Sequence, residues 1–135
     1  MPLGDQLGQS AHRQIDCLAD LGEELGNPEH GWWTMRNGYA LASAEGLRML
    51  ATLLAVQNES DRDELRQLVR VGIQSGTEVT LRSAGHTVSQ VFCSALPVRY
   101  SNQDAGEWAP FSRLILESAY EATLLAGAIN LARTG

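Results

Sequence analysis

The last third of the chain joins a strand-like segment to a long apolar helix, and this pairing limits the fold more than any other feature. Residues 88–96 have the composition of a strand, and 91–96 are apolar on both faces, which predicts a central strand. Pro97 ends that pattern, and helical spacing predicts a helix from about Trp108 to Arg133. A strand followed by a helix normally leads to a further parallel strand. The pattern therefore favours an α/β fold whose last unit is unfinished, with an α+β arrangement as the alternative.

The second half of this helix is unusually apolar. Residues 122–129 contain no charged side chain, and a helix that is apolar all round is either buried on every side or covered by a partner. We therefore expect Leu124, Leu125 and Ile129 to pack against a missing segment of chain or against another copy in a homo-oligomer. If these side chains were left exposed, they would form an adhesive surface.

Composition narrows the class of protein. The 135 residues suffice for one domain, which we place at 11–135 and expect to be incomplete, after a loose arm at 1–10. Hydrophobic residues make up 44% of the chain and charged residues 19%, as in globular proteins. The net charge of −6, with no basic cluster, argues against a nucleic-acid partner. No apolar run is long enough to span a membrane.

Cellular location is predicted from the N-terminus and the cysteines. The first residues lack the basic and apolar regions of a signal peptide, so we predict a cytoplasmic protein. Cys17 and Cys93 both lie in apolar surroundings, which is typical of buried free thiols in a reducing compartment. A disulfide or a catalytic thiol is the alternative.

The rest of the chain predicts three more helices and several strands. A helix at 11–25 ends at the C-cap residue Gly26, and Ser43 and Ser60 are placed as N-caps of the next two. These two helices are predicted at 44–56 and 61–69. The predicted strands are 32–35, 70–74, 77–82 and 87–96, with an Asn37-Gly38 turn and a hairpin joining the last two strands.

A ligand site is predicted where the chain leaves the strand at 88–96, because open α/β sheets bind ligands at the carboxyl ends of their strands. The polar groups there are Ser94, Arg99, Tyr100 and Ser101. An ordinary loop is the alternative. Catalytic residues cannot be assigned, since Cys93-Ser94 lacks a base and an oxyanion donor at a recognisable spacing, and we favour a non-enzymatic chain.

Other candidate sites find less support in the sequence. Asp16 and Asp20 could chelate a metal but have the spacing of a solvated helix face, and neither a metal site nor a cofactor is predicted. No glycine-rich nucleotide motif occurs. We expect the three tryptophans to be core or rim residues rather than a stacking platform, and His12, His30 and His86 to be loop residues.

Several stretches together resemble an internal segment of an uncharacterised family of longer, macrodomain-like proteins. The stretches are Gly8–Ser10, Gln14–Gly22, Met35–Ala42, Gln90–Ser101 and Leu116–Leu125. The resemblance covers about residues 8–132. It implies a macrodomain-like core, here an incomplete sheet flanked by about four helices.

Macrodomains bind ADP-ribose and related nucleotides, so the resemblance implies a nucleotide-binding module. It also implies that the glycine-rich phosphate loop of the longer relatives is missing from this chain. Because that loop holds the motif best tied to ligand, no functional residue of the family can be transferred. A non-enzymatic interaction or oligomerisation module, built on the apolar C-terminal helix, is the competing hypothesis.

Overall fold

The computed structural model describes residues 14–81 and 85–134. The predicted arm at 1–10, His12, the stretch Gly8–Ser10 and part of the predicted turn before residue 87 lie outside the described residues. The described elements, in chain order, are α1 (Ala19–Leu25), α2 (Asn27–His30), β1 (Trp33–Arg36), β2 (Tyr39–Ala42), α3 (Ala44–Val56), α4 (Glu59–Gln67), β3 (Gly72–Glu78), β4 (Thr87–Phe92) and α5 (Ala105–Thr134). The predicted mixed α/β class and the long C-terminal helix are confirmed.

The strands form two antiparallel hairpins. In the first, β1 pairs with β2 across Asn37 and Gly38, whose positive φ angles of 52° and 79° are those that a tight two-residue turn requires. In the second, β3 pairs with β4, and the register shifts between Gln74 and Thr77, where Gly76 has a φ of 71°. Two strands predicted separately at 70–74 and 77–82 are thus one bulged strand.

The predicted central position of the strand at 88–96 is wrong. Among the described strands, β4 pairs with β3 alone and ends at Phe92. Val88 and Phe92 remain substantially exposed, so the apolar run does not correspond to burial on both faces. Beyond the strand, Ala95 forms an isolated parallel bridge with Tyr39, which attaches this segment to the first hairpin.

Two helices begin at residues other than those predicted, because side chains accept hydrogen bonds from the backbone N–H groups near each start. Residues 14–18 are not helical: Asp16 accepts a hydrogen bond from the N–H of Leu18, and Cys17 donates its own N–H to Ser94. The helix α4 is capped by Asn58 rather than Ser60. Asn58 and Asp61 form a reciprocal capping box, with bonds of 3.0 and 3.1 Å.

The core lies where α1, α3 and the first half of α5 meet the first hairpin. Its largest fully buried side chains are Trp108, Phe111, Leu18, Leu21, Leu47 and Leu50. Trp32 and Trp33 are also buried, so the prediction that the tryptophans are core residues is confirmed. Gly46 allows α3 to approach the chain closely, because a Cβ there would collide with the backbone carbonyl of Trp32.

The second half of α5 leaves this core. Ser118 is its last buried residue, and the chain continues in helical form to Thr134, a distance of about 24 Å at the rise of an α-helix. Leu124 is 75% exposed and Ile129 is 53% exposed. The segment predicted to be buried or covered by a partner is therefore uncovered in the single chain.

Candidate functional site

A cavity of about 480 Å³ lies between the first hairpin and the turn that follows Pro97. The two parts are held together by backbone hydrogen bonds. The N–H of Ala40 donates to the carbonyl of Ala95, and the N–H of Ala95 donates to the carbonyl of Gly38, both at 2.9 Å. The turn closes on itself through bonds of 3.0 and 2.9 Å from Tyr100 and Ser101 to the Pro97 carbonyl. The walls of the cavity are thus fixed by main-chain pairing.

Trp108 forms the floor of the cavity. Its side chain is fully buried, and its indole N–H donates to the Oγ atom of Ser101 at 2.8 Å. The Ser101 hydroxyl in turn donates to the Val98 carbonyl at 3.3 Å. Because Trp108 presents almost no surface to solvent, it orients Ser101 and does not provide a face on which a ligand could stack.

The cavity differs in charge from the protein as a whole. Arg36 is the one charged side chain among its lining residues, and the remaining polar groups there are amides and hydroxyls. Tyr39 and Tyr100 supply exposed aromatic surface at the rim. A single cation beside neutral donors, in a chain of net charge −6, is chemically suited to a small anionic ligand with a planar group.

The structure divides the four predicted ligand residues. Tyr100 and Ser101 line the cavity. Arg99 is exposed and does not belong to the lining. Ser94 is buried beside Cys17 instead, because its hydroxyl serves a backbone N–H of the core. Two of the four residues therefore line the cavity, and the sequence prediction did not include the opposite wall, formed by Arg36 and Tyr39, to which the Asn37-Gly38 turn signal could have pointed.

A second polar cluster surrounds the two cysteines. The N–H of Cys17 donates to the Oγ atom of Ser94 at 3.0 Å, and the N–H of Arg70 donates to the carbonyl of Cys17 at 2.9 Å. The Cys93 thiol donates to the Arg70 carbonyl, with 3.8 Å between sulfur and oxygen. Three distant parts of the chain thus meet at this point.

Neither cysteine of this cluster is in a disulfide. The side-chain hydrogen bond with Cys93 lowers the pKa of Cys17 from 9.0 to about 6; the hydrogen bonds from Ser94 act in the same direction, while burial and the charge of Asp16 oppose them. The interaction with Cys17 and burial raise the pKa of Cys93. Of the two thiols, Cys17 is therefore the one that loses its proton first.

A second cavity, of about 340 Å³, is lined by Arg62, Arg66 and Arg113 between α3, α4 and α5. These arginines already form ion pairs or hydrogen bonds with other groups of the protein. Arg66 contacts Glu59 at 2.7 Å, Arg113 contacts Glu117 at 2.8 Å, and Arg62 donates to the Leu54 carbonyl at 3.1 Å. Since their charge is offset by neighbouring acids and a helix end, this cavity is less suited to an anion than the first.

The two aspartates that were weighed as metal ligands, Asp16 and Asp20, have structural roles. Asp16 caps the Leu18 N–H, and Asp20 forms an ion pair with Arg70 at 2.6 Å. In residues 14–81 and 85–134, no three His, Cys, Asp or Glu side chains converge as a metal site would require. His30 stacks on Trp32, with ring centroids 4.9 Å apart.

Comparison with protein-family models finds no match, and comparisons with curated proteins and with solved structures find none either. No described helix is long and apolar enough to cross a membrane. The fold and its sites therefore define a mixed α/β protein with an exposed apolar helix end and a ligand-sized cavity beside the first hairpin.

Proposed function

We propose that this protein is an interaction module that self-associates through the end of α5. We define the apolar segment as residues 122–132, which contain no charged side chain. The exposure of this segment is the observation that carries the proposal. Leu124, Leu125, Ile129 and Leu131 are each more than half exposed, and burying one such side chain contributes roughly 1.5–3 kcal/mol. An exposed helix end of this composition is stabilised when another apolar surface packs against it.

The apolar segment has two faces. Leu125 and Ile129 continue the row that begins with Phe111 and Ile115, so they extend the core-facing side of α5 beyond the core. On the opposite side, Leu116, Tyr120 and Leu124 are spaced by four and are all exposed. A partner helix could therefore pack on either side.

Charge favours a second copy of the same chain as that partner. Glu121 precedes the apolar segment and Arg133 follows it. If two copies pair antiparallel about Gly127, Glu121 of each copy lies opposite Arg133 of the other. The flanking charges then attract, whereas a parallel pair would place like charges together.

Sedimentation velocity over a range of concentrations tests this proposal. The unaltered protein is expected to shift from monomer to dimer or a larger assembly, and L124E with I129E is expected to remain monomeric. V56E is the matched control, because Val56 is 77% exposed and lies outside α5, and it should associate like the unaltered protein. A monomer at every concentration, with α5 helical by circular dichroism, would contradict self-association.

We propose nucleotide binding as a second function, in keeping with the macrodomain resemblance. The supporting observation is the cavity of about 480 Å³, whose lining includes Arg36, Tyr100 and Ser101. Its volume lies within the range of small-molecule sites, roughly 300–1,000 Å³. Arg36 would neutralise a phosphate, and Tyr39 or Tyr100 would stack on a base or face a ribose. The ligand class is ADP-ribose or a related nucleotide.

Titration calorimetry with ADP-ribose tests this second proposal. R36Q is expected to weaken binding about tenfold or more, since it removes the cation from the lining. R99Q is the matched control: it removes an exposed arginine two positions beyond Pro97 but outside the cavity, so affinity should be unchanged. Absence of binding by the unaltered protein, or equal losses in both variants, would contradict a nucleotide site here.

A further inference from the structure

The contact between Cys17 and Cys93 is not used by either proposed function. The two residues lie far apart in the chain, yet the fold brings them to the same neighbours: the Cys93 sulfur lies 3.8 Å from the Arg70 carbonyl oxygen, and the backbone of Cys17 is bonded to Arg70 and to Ser94, the residue after Cys93. The backbone of Cys17 is held in place independently of the sulfur atoms. Ser94 accepts the Cys17 N–H at 3.0 Å, and Arg70 donates to the Cys17 carbonyl at 2.9 Å.

The two sulfur atoms differ in access. Cys17 is 3% exposed, whereas Cys93 is partly exposed and its sulfur donates to the Arg70 carbonyl at 3.8 Å. A small oxidant can therefore reach the pair from the side of Cys93, while Cys17 lies behind it. Such an arrangement provides one sulfur for the initial attack and a second to resolve the product.

We propose that Cys17 and Cys93 form a reversible redox site, which a two-electron oxidant of the peroxide class converts to an intramolecular disulfide. The Cys93 thiol attacks one peroxide oxygen while the Cys17 thiolate accepts its proton. The O–O bond breaks, hydroxide leaves, and a sulfenic acid forms on Cys93. Cys17 then attacks that sulfur and displaces its oxygen as water.

The overall step balances: two thiols and hydrogen peroxide give one disulfide and two waters, and the two electrons lost by sulfur reduce the O–O bond. A low-molecular-weight thiol, such as glutathione, reverses the reaction by thiol–disulfide exchange. The lowered pKa of Cys17 favours the forward reaction, because a Cys17 thiolate can accept the proton that Cys93 loses as it attacks.

The position of the site suggests what oxidation would affect. Ser94 and Ala95 follow Cys93 directly, and Ala95 holds the first hairpin against the turn after Pro97. A disulfide would link the segment before α1 covalently to the end of β4. It would thereby hold in place the segment around Ala95, which supports the cavity. Because it would close a long loop, it should also raise the thermal midpoint of unfolding by several degrees.

Peptide mapping by mass spectrometry, after treatment of the unaltered protein with hydrogen peroxide, tests the redox site. The expected product is a Cys17–Cys93 cross-linked peptide that dithiothreitol removes, together with a higher melting temperature. The folded protein should form it about tenfold faster than the urea-unfolded chain at the same pH, because only the fold provides the thiolate beside its partner. Peroxide treatment of C93S should give no cross-linked peptide.

Three outcomes would overturn the proposal. One is that both thiols remain alkylatable after oxidation of the folded protein. Another is that the unfolded chain forms the cross-link as fast as the folded one. The third is that Cys93 proceeds to sulfinic acid without cross-linking. Because the main measurement uses the unaltered protein, a folding defect in C93S would not affect it.

Discussion

The hydroxyl of Ser94 accepts a hydrogen bond from the backbone N–H of Cys17 at 3.0 Å, across 77 positions of sequence. Both residues are buried. A buried N–H without an acceptor costs the free energy of its lost hydration, so this bond determines where the N-terminal segment can lie. It also explains why Ser94, predicted as a ligand residue, does not reach the cavity.

Removal of this hydroxyl should therefore destabilise the fold. S94A leaves the Cys17 N–H without its acceptor, and we expect the free energy of unfolding to fall by about 1–3 kcal/mol. S118A is the matched control, because Ser118 is also buried but its hydroxyl donates to the Leu114 carbonyl within the same helix. S118A should cost less than about 0.5 kcal/mol. Urea denaturation measures both, and equal effects would contradict this account.

A methyl group at Gly46 should also be costly. In G46A the added Cβ would collide with the Trp32 carbonyl, which is held in place by the Ser43 N–H at 3.0 Å. We expect a loss of about 1–3 kcal/mol in the free energy of unfolding. G127A serves as the control, because no atom lies within 4 Å of its added Cβ. That substitution should leave stability unchanged or raise it by up to about 1 kcal/mol, and thermal unfolding would separate the two variants.

The N-cap of α4 offers a direct contrast between the sequence prediction and the structure. N58A removes the acceptor for the Asp61 N–H and should cost about 1 kcal/mol. S60A alters the residue that the sequence predicted as the cap, which is an exposed residue inside the helix. It should change stability by less than about 0.5 kcal/mol. If denaturation showed the larger loss for S60A, the capping box would be the wrong description.

The thiol pair predicts a specific pH dependence. Replacing Cys93 by alanine removes the main hydrogen bond that lowers the pKa of Cys17. The pKa of Cys17 in C93A should therefore rise towards that of an ordinary thiol. C93S keeps a hydroxyl donor and should raise the pKa by a smaller amount. The ultraviolet absorbance of the thiolate, recorded against pH, gives these values. An unchanged pKa in C93A would show that the two thiols are not coupled.

The same shift links stability to pH. Cys17 has a pKa of about 6 in the folded protein against an ordinary value of 9.0, so between these values the unfolded chain binds the proton that the native protein has lost. The contribution of Cys17 to stability therefore rises with pH from about 6 to 9 and is lost as pH falls through 6. The raised pKa of Cys93 has the opposite effect above pH 9. Denaturation of C17S, which removes the Cys17 thiol and the main cause of the raised pKa of Cys93, is the reference.

Much of the local structure follows from short-range patterns. Ser43 caps α3 with its hydroxyl, Gly26 ends α1 with a φ of 77°, and Asn37 with Gly38 forms the hairpin turn. In each case neighbouring residues satisfy the geometry, so the sequence is sufficient. The α1 and α4 starts were wrong because Asp16 and Asn58 bind backbone groups in ways that apolar spacing does not reveal.

The candidate site was only half predicted. Tyr100 and Ser101, which the sequence predicted, line the cavity, but their neighbours Arg36 and Tyr39 come from a hairpin more than 60 positions earlier. Main-chain pairing of Ala95 with Gly38 and Ala40 brings the two together. Such pairing depends on backbone groups that every residue carries, and side-chain patterns therefore do not encode it.

The sequence by itself determined the helices, the turns and an apolar α5, because these depend on contacts between residues close along the chain. Only the tertiary structure decided which apolar residues are buried. Val91 and Phe92 resembled a central strand but lie in a two-stranded sheet, and the apolar segment of α5 extends past the core. Only the tertiary structure brought Cys17 to Cys93. Burial and thiol pairing depend on how distant elements pack. The hydrophobic effect is non-directional, so an apolar side chain does not specify which element will pack over it.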